Sequence, residues 1–91
     1  MLSKKEYETL KKLIRVIYDE TVFDKDNGTS ISLNSNIGFG ETIELYKDDG
    51  GYVMLTKDLD SDQPDKYFCT KRFKRLEEKL ALTLVKREAI N

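Results

Sequence analysis

The sequence predicts an α+β domain: a small antiparallel sheet of three strands, with a fourth if residues 67–69 are extended, flanked by an N-terminal and a C-terminal helix. Three observations carry this reading. Apolar residues recur at helical spacing in both terminal stretches, alternating segments fill the middle, and an acidic glycine turn (KDDGG) joins the two clearest of them. The order is α-β-β-β-(β)-α, and 91 residues make one domain, 1–91, with a single modest core.

The first helix is expected from Ser3 to about Asp19. Ser3-Lys-Lys-Glu6 fits a capping box, in which the serine oxygen accepts a backbone N–H while the glutamate reaches back. Tyr7, Leu10, Leu13, Ile14, Ile17 and Tyr18 form one apolar face, and Lys4, Lys11, Lys12, Arg15 and Asp19 the other. Asp26-Asn27-Gly28 reads as a turn, Ser30 to Leu33 as a half-buried strand and Asn34-Ser35-Asn36 as a second turn. In Ile37-Gly38-Phe39-Gly40 the glycines suggest a bulge or an irregular strand entry.

Thr42–Tyr46 and Tyr52–Thr56 make the clearest hairpin. A three-residue loop, Asp48-Asp49-Gly50, pairs Leu45 with Val53 and Ile43 with Leu55, giving one wholly aliphatic face. Tyr46, Tyr52, Glu44 and Met54 then look outward. Lys57 to Lys66 is an acidic loop with the only proline, and Tyr67-Phe68-Cys69 is either a last strand or the opening turn of the final helix. Thr70 is the expected N-cap of that helix. Phe73, Leu76, Leu80 and Leu84 form its buried stripe, joined one turn earlier by Cys69. Lys71, Arg72, Arg75, Lys79 and Lys86 form a basic ridge opposite, where Lys74 and Glu78 are spaced to pair. Leu82 interrupts the polar side, with Val85 nearby, as an alternative dimer contact.

Composition excludes several classes. With no histidine, the commonest general base and neutral metal ligand are missing. The sequence holds no nucleophile elbow or phosphate-binding loop, and the lone Cys69 reads as a buried structural thiol, so no enzymatic activity and no cofactor are expected. Asp58-Leu-Asp60-Ser-Asp62 opens like a calcium loop but lacks its glycine and terminal acid; it and Asp24 to Gly28 read as solvated acidic loops, with no metal. No apolar run approaches a membrane span and the first ten residues lack the apolar core of a secretory leader, so the expected location is the cytoplasm.

A net charge of −1 conceals segregation. Residues 1–18 carry +3, residues 19–65 carry −9 and residues 66–91 carry +5. The basic flanks suggest nucleic-acid binding through Lys11, Lys12, Arg15, Lys71, Arg72, Arg75 and Lys79. The element order resembles that of double-stranded-RNA-binding domains, whose final helix opens on a lysine cluster that Lys71, Arg72 and Arg75 would overlay. Leu76, Glu77 and Glu78 depart from the small residues that follow there, and the characteristic strand loop is absent, so the likeness stops at topology.

The acidic centre points elsewhere. Glu44, Tyr46, Asp48, Asp49 and Tyr52 on the hairpin, with Asp58, Asp60 and Asp62 beyond it, combine carboxylates with tyrosines, a chemistry suited to a basic protein surface. The favoured expectation is a small protein-binding module, monomeric or homodimeric. It would inhibit or modulate a nucleic-acid-handling protein, its spaced carboxylates standing in for phosphates as a DNA mimic. In size and charge it resembles phage and mobile-element accessory proteins such as the anti-CRISPR proteins.

Overall fold

In a computed structural model, which describes residues 1–17, 23–26, 30–33, 41–58 and 65–90, the predicted α+β class holds with a helix at each end, and the sheet between them has five strands where three or four were expected. Helix α1 (Lys4–Ile17) leads into strands β1 (Phe23–Asp26), β2 (Ile31–Leu33), β3 (Glu41–Asp48), β4 (Gly51–Asp58) and β5 (Lys66–Thr70), and helix α2 (Phe73–Ile90) closes the chain. The five strands form one antiparallel sheet in the order β1-β2-β3-β4-β5. Consecutive hairpins need no crossover, which is why short connections suffice.

The capping box at the start of α1 forms as read. Ser3 N–H donates to Glu6 Oε1 at 2.9 Å and Glu6 N–H donates to Ser3 Oγ at 3.1 Å. Tyr7, Leu10 and Ile14 are buried along one stripe. On α2 the predicted stripe is also found, with Leu76, Leu80 and Leu84 fully buried and Phe73 partly so. Both helices share one core with Ile31, Leu33, Ile43, Leu45, Tyr52 and Met54, so both lie on the same face of the sheet.

Several local expectations are corrected. The hairpin turns through two residues, Asp49 and Gly50, so Leu45 pairs with Met54, Ile43 with Thr56 and Tyr46 with Val53. This is one residue away from the all-aliphatic register, and a one-residue slip turns a strand over. Tyr52, Met54 and Thr56 therefore face the helices, while Val53 and Leu55 face away. The positive φ that the turn requires falls on Gly51 (131°) rather than on Gly50. The observed register buries Tyr52, which is favourable because its ring packs in the core while its hydroxyl finds a partner.

Of the two alternatives for this segment the strand is found, over residues 66–70, and so Cys69 is exposed on β5 instead of buried on α2. Thr70 ends that strand and Lys71 and Arg72 precede the helix, so neither cation belongs to a helical ridge. The carbonyl of Arg72 accepts the first helical bonds, from the N–H groups of Arg75 at 3.1 Å and Leu76 at 3.4 Å. Thr70 Oγ1 accepts from Arg72 N–H at 3.2 Å, bracing the corner and not capping the helix. Glu78 is bridged by Arg75 at 3.9 Å, not by Lys74. Finally, Asp24 and Asp26 lie within β1 and not in a solvated loop. The end of the first helix beyond Ile17, the turns at 27–29 and 34–36 and the segment 37–40 fall outside the described residues.

Candidate protein-contact site on the outer sheet face

Alternate residues of the strands point away from both helices. Across the sheet they align in two rows: Ser32, Glu44, Leu55 and Tyr67 in one, Tyr46, Val53 and Cys69 in the other. The pleat sets this arrangement, since side chains two apart on a strand share a face and cross-strand partners sit side by side. Val53 is fully buried between Tyr46 and Cys69, Leu55 and Tyr46 are half-buried, and Tyr67 is 60% exposed. A small aliphatic floor thus lies beside two tyrosine rings.

Carboxylates border this surface. Glu44 lies 3.7 Å from Lys57, with both side chains about 40% exposed, so the pair is worth at most about 1 kcal/mol and its charges remain accessible. Asp48 and Asp49 are exposed at the hairpin tip, where Asp48 Oδ1 accepts from Gly50 N–H at 2.8 Å. The Cys69 thiol donates to the Gly50 carbonyl at 3.5 Å, which ties β5 to the turn. The Tyr67 hydroxyl is shifted above its ordinary 10.0, first by a hydrogen bond with the Cys69 side chain, then by burial and by the charges of Cys69, Asp48 and Tyr46. Tyr67 and Cys69 stand two apart on β5, and the row of Cys69 continues through Val53 to Tyr46.

Of the residues predicted from sequence, Glu44, Tyr46, Asp48 and Asp49 are brought together here. Tyr52 is not: it is 8% exposed on the opposite face. Asp58 ends β4, and Asp60 and Asp62 lie outside the described residues. Tyr67 and Leu55 were missed. Their signal was present, since reading 66–70 as a strand puts Tyr67 and Cys69 on one face at period two, next to whichever face of β4 is turned outward.

Tyr52 instead clamps the hairpin to both helices. Its hydroxyl donates to Glu6 Oε2 on α1, its ring meets Phe73 of α2 edge-on with centroids 5.4 Å apart, and Lys47 Nζ sits 4.8 Å above the ring. Burial alone would raise the Glu6 carboxyl, but hydrogen bonds from Tyr52 and Ser3 and the Lys47 charge outweigh it and hold the group below its ordinary 4.5. The bond to Glu6, then burial, raises Tyr52 above its ordinary 10.0. A lowered carboxylate stabilises the fold above its unfolded value and loses that contribution as pH falls through the folded one. A raised phenol stabilises below its unfolded value and loses the contribution as pH rises through the folded one. Stability is therefore expected to hold between about pH 4.5 and 10 and to decline on both sides. Tyr52→Phe should lower it by about 1 kcal/mol inside that window and flatten the alkaline decline, as urea melts across pH would register. The acid decline persists in part, because the Ser3 bonds remain.

The basic residues are dispersed over the helix side. Lys11 Nζ lies 5.3 Å above the Tyr7 ring and Lys79 Nζ 5.7 Å above the Phe68 ring, while Lys12, Arg15, Lys71, Arg72 and Arg75 are exposed. Leu82 and Val85 are 62% and 55% exposed on α2. Among the described residues no group of three acidic, cysteine or histidine side chains is placed to hold a metal ion, and no helix is long and apolar enough to cross a membrane. The sequence matches no family model, and neither the curated proteins nor the solved structures include a significant match.

Proposed function

We propose that this protein is a small non-enzymatic binding module that docks the outer face of its sheet onto a basic protein surface. Tyr46 and Tyr67 supply contact area over the Val53 and Leu55 floor, and Glu44, Asp48 and Asp49 steer and orient the partner. The observation that carries this reading is the convergence of two accessible tyrosines with three carboxylates on the sheet face opposite both helices. A basic surface built for phosphates is the natural complement of spaced carboxylates. The partner is accordingly a nucleic-acid-handling protein in the cytoplasm, which the docking blocks, in the manner of phage-encoded inhibitors.

Affinity capture from host lysate with nuclease present tests this. The wild type should retain a basic protein after nuclease, and Asp48→Lys with Asp49→Lys should weaken that capture at least tenfold while the far-ultraviolet spectrum is preserved. Unchanged capture by the double variant removes the hairpin tip from the site.

A second reading is direct nucleic-acid binding, favoured by the exposure of Lys71, Arg72 and Arg75 at one end of α2. It requires a gel shift that falls steeply with salt and is lost in Arg72→Glu with Arg75→Glu.

A further inference from the structure

β5 is the last strand of the sheet and among the described residues it pairs on one side only, with β4. An unpaired edge presents a row of N–H and C=O groups to any second extended chain, and native edges are usually blunted by charge, proline or a bulge. The opposite edge follows that rule: β1 reads FDKD, with a charge at each of its last three positions. The middle of β5 does not follow it. Tyr67-Phe68-Cys69 carries no charge, Tyr67 is 60% exposed and Cys69 is exposed, while the charged residues Asp65, Lys66 and Lys71 stand only at its ends.

The arrangement of those end charges selects a partner. An acid before the strand and a base after it are complementary to a second copy running antiparallel. With a two-fold axis at Phe68, Asp65 faces Lys71 of the second copy at both ends, Lys66 faces Thr70 and Tyr67 faces Cys69. A slip of one residue in one direction sets Lys66 against Lys71, and in the other leaves Asp65 against Thr70. Either slip also turns one copy over, placing its helices on the opposite side of the joint sheet.

We propose that the protein self-associates through β5, by antiparallel pairing centred on Phe68, joining two five-stranded sheets into one. Strands of five residues bury little surface, so the dimer is weak and exchanges rapidly, with a dissociation constant on the order of 100 µM. The outer rows of the two copies then adjoin through Tyr67 and Cys69. Self-association stands apart from the proposed function and is measured without any partner.

Sedimentation equilibrium over roughly 10 µM to 1 mM tests the proposal. The mass should climb from 10.6 kDa toward twice that value, and amide exchange in Lys66–Thr70 should slow as concentration rises. Lys71→Asp sets carboxylates against each other at both ends and should raise the dissociation constant at least tenfold. Asp65→Lys added to it should restore the wild-type value, and Leu82→Asp should change nothing. Asp65, Lys71 and Leu82 are exposed, so each variant should keep the wild-type circular dichroism spectrum. A monomeric mass throughout overturns the proposal. So does a dimer indifferent to Lys71→Asp, one not restored by the charge swap, or one abolished by Leu82→Asp.

Discussion

Gly51→Ala is expected to destabilise the fold by about 3 kcal/mol or more, with a lowered urea midpoint and an unchanged slope. Two effects add at this position. Its φ of 131° lies where a side chain is strained, which costs on the order of 1–3 kcal/mol. A Cβ there would also lie 2.5 Å from the carbonyl oxygen of Thr70, so β5 itself must move. Backbone on a paired strand yields poorly, and overpacking of this kind costs a further 1–3 kcal/mol or so. Gly50→Ala, one residue away, is the control. Its Cβ would meet only the Asp48 carboxylate at 3.2 Å and the Cys69 sulfur at 3.8 Å, and its φ is not positive. A loss of about 1 kcal/mol or less is expected there. Equal effects at the two glycines would contradict the two-residue turn, and a larger effect at Gly50 would favour the three-residue loop.

Tyr67→Ala is expected to weaken partner binding by about 2 kcal/mol or more, roughly thirtyfold, while changing stability by no more than about 0.5–1 kcal/mol. Truncating an accessible tyrosine over an apolar floor removes contact area, whereas its 60% exposure means that the folded core loses little. Tyr46→Ala should act in the same direction. Tyr52→Phe should leave binding unchanged, because that hydroxyl is engaged with Glu6 on the other side of the sheet. Affinities by calorimetry, set against midpoints from urea melts of the same variants, separate the contact role from the structural one.

Much of the fold was legible because local signals and tertiary needs agreed. Ser3 and Glu6 announce the first helix, and the Phe73, Leu76, Leu80, Leu84 stripe announces the last; both are satisfied as written. The hairpin shows where agreement ended. Two registers of β3 on β4 differ by one residue, and sequence offered only the aliphatic count to choose between them. Deciding correctly required knowing that Glu6, 46 positions away, would receive the Tyr52 hydroxyl, and that Gly51 would lie against Thr70. Long-range partners of this sort leave no periodicity.

The candidate site inherits that error. The carboxylates Glu44, Asp48 and Asp49 were identifiable because β3 keeps its orientation in either register. The tyrosine that accompanies Tyr46 is Tyr67 and not Tyr52, because β4 turns over and β5 is strand where a helical stripe extended back to Cys69 had seemed continuous. The basic ridge shrank for the same reason, losing Lys71 and Arg72 to the connection before α2.

The central claim is that the outer sheet face, and not the basic helix side, makes the functional contact. Nuclease-treated capture from host lysate with Tyr46→Ala plus Tyr67→Ala, run beside Arg72→Glu plus Arg75→Glu, tests it most directly. The tyrosine pair should abolish retention of a basic protein while the arginine pair leaves it intact. Retention lost only with the arginine pair, or carried by nucleic acid and removed by nuclease, would contradict it.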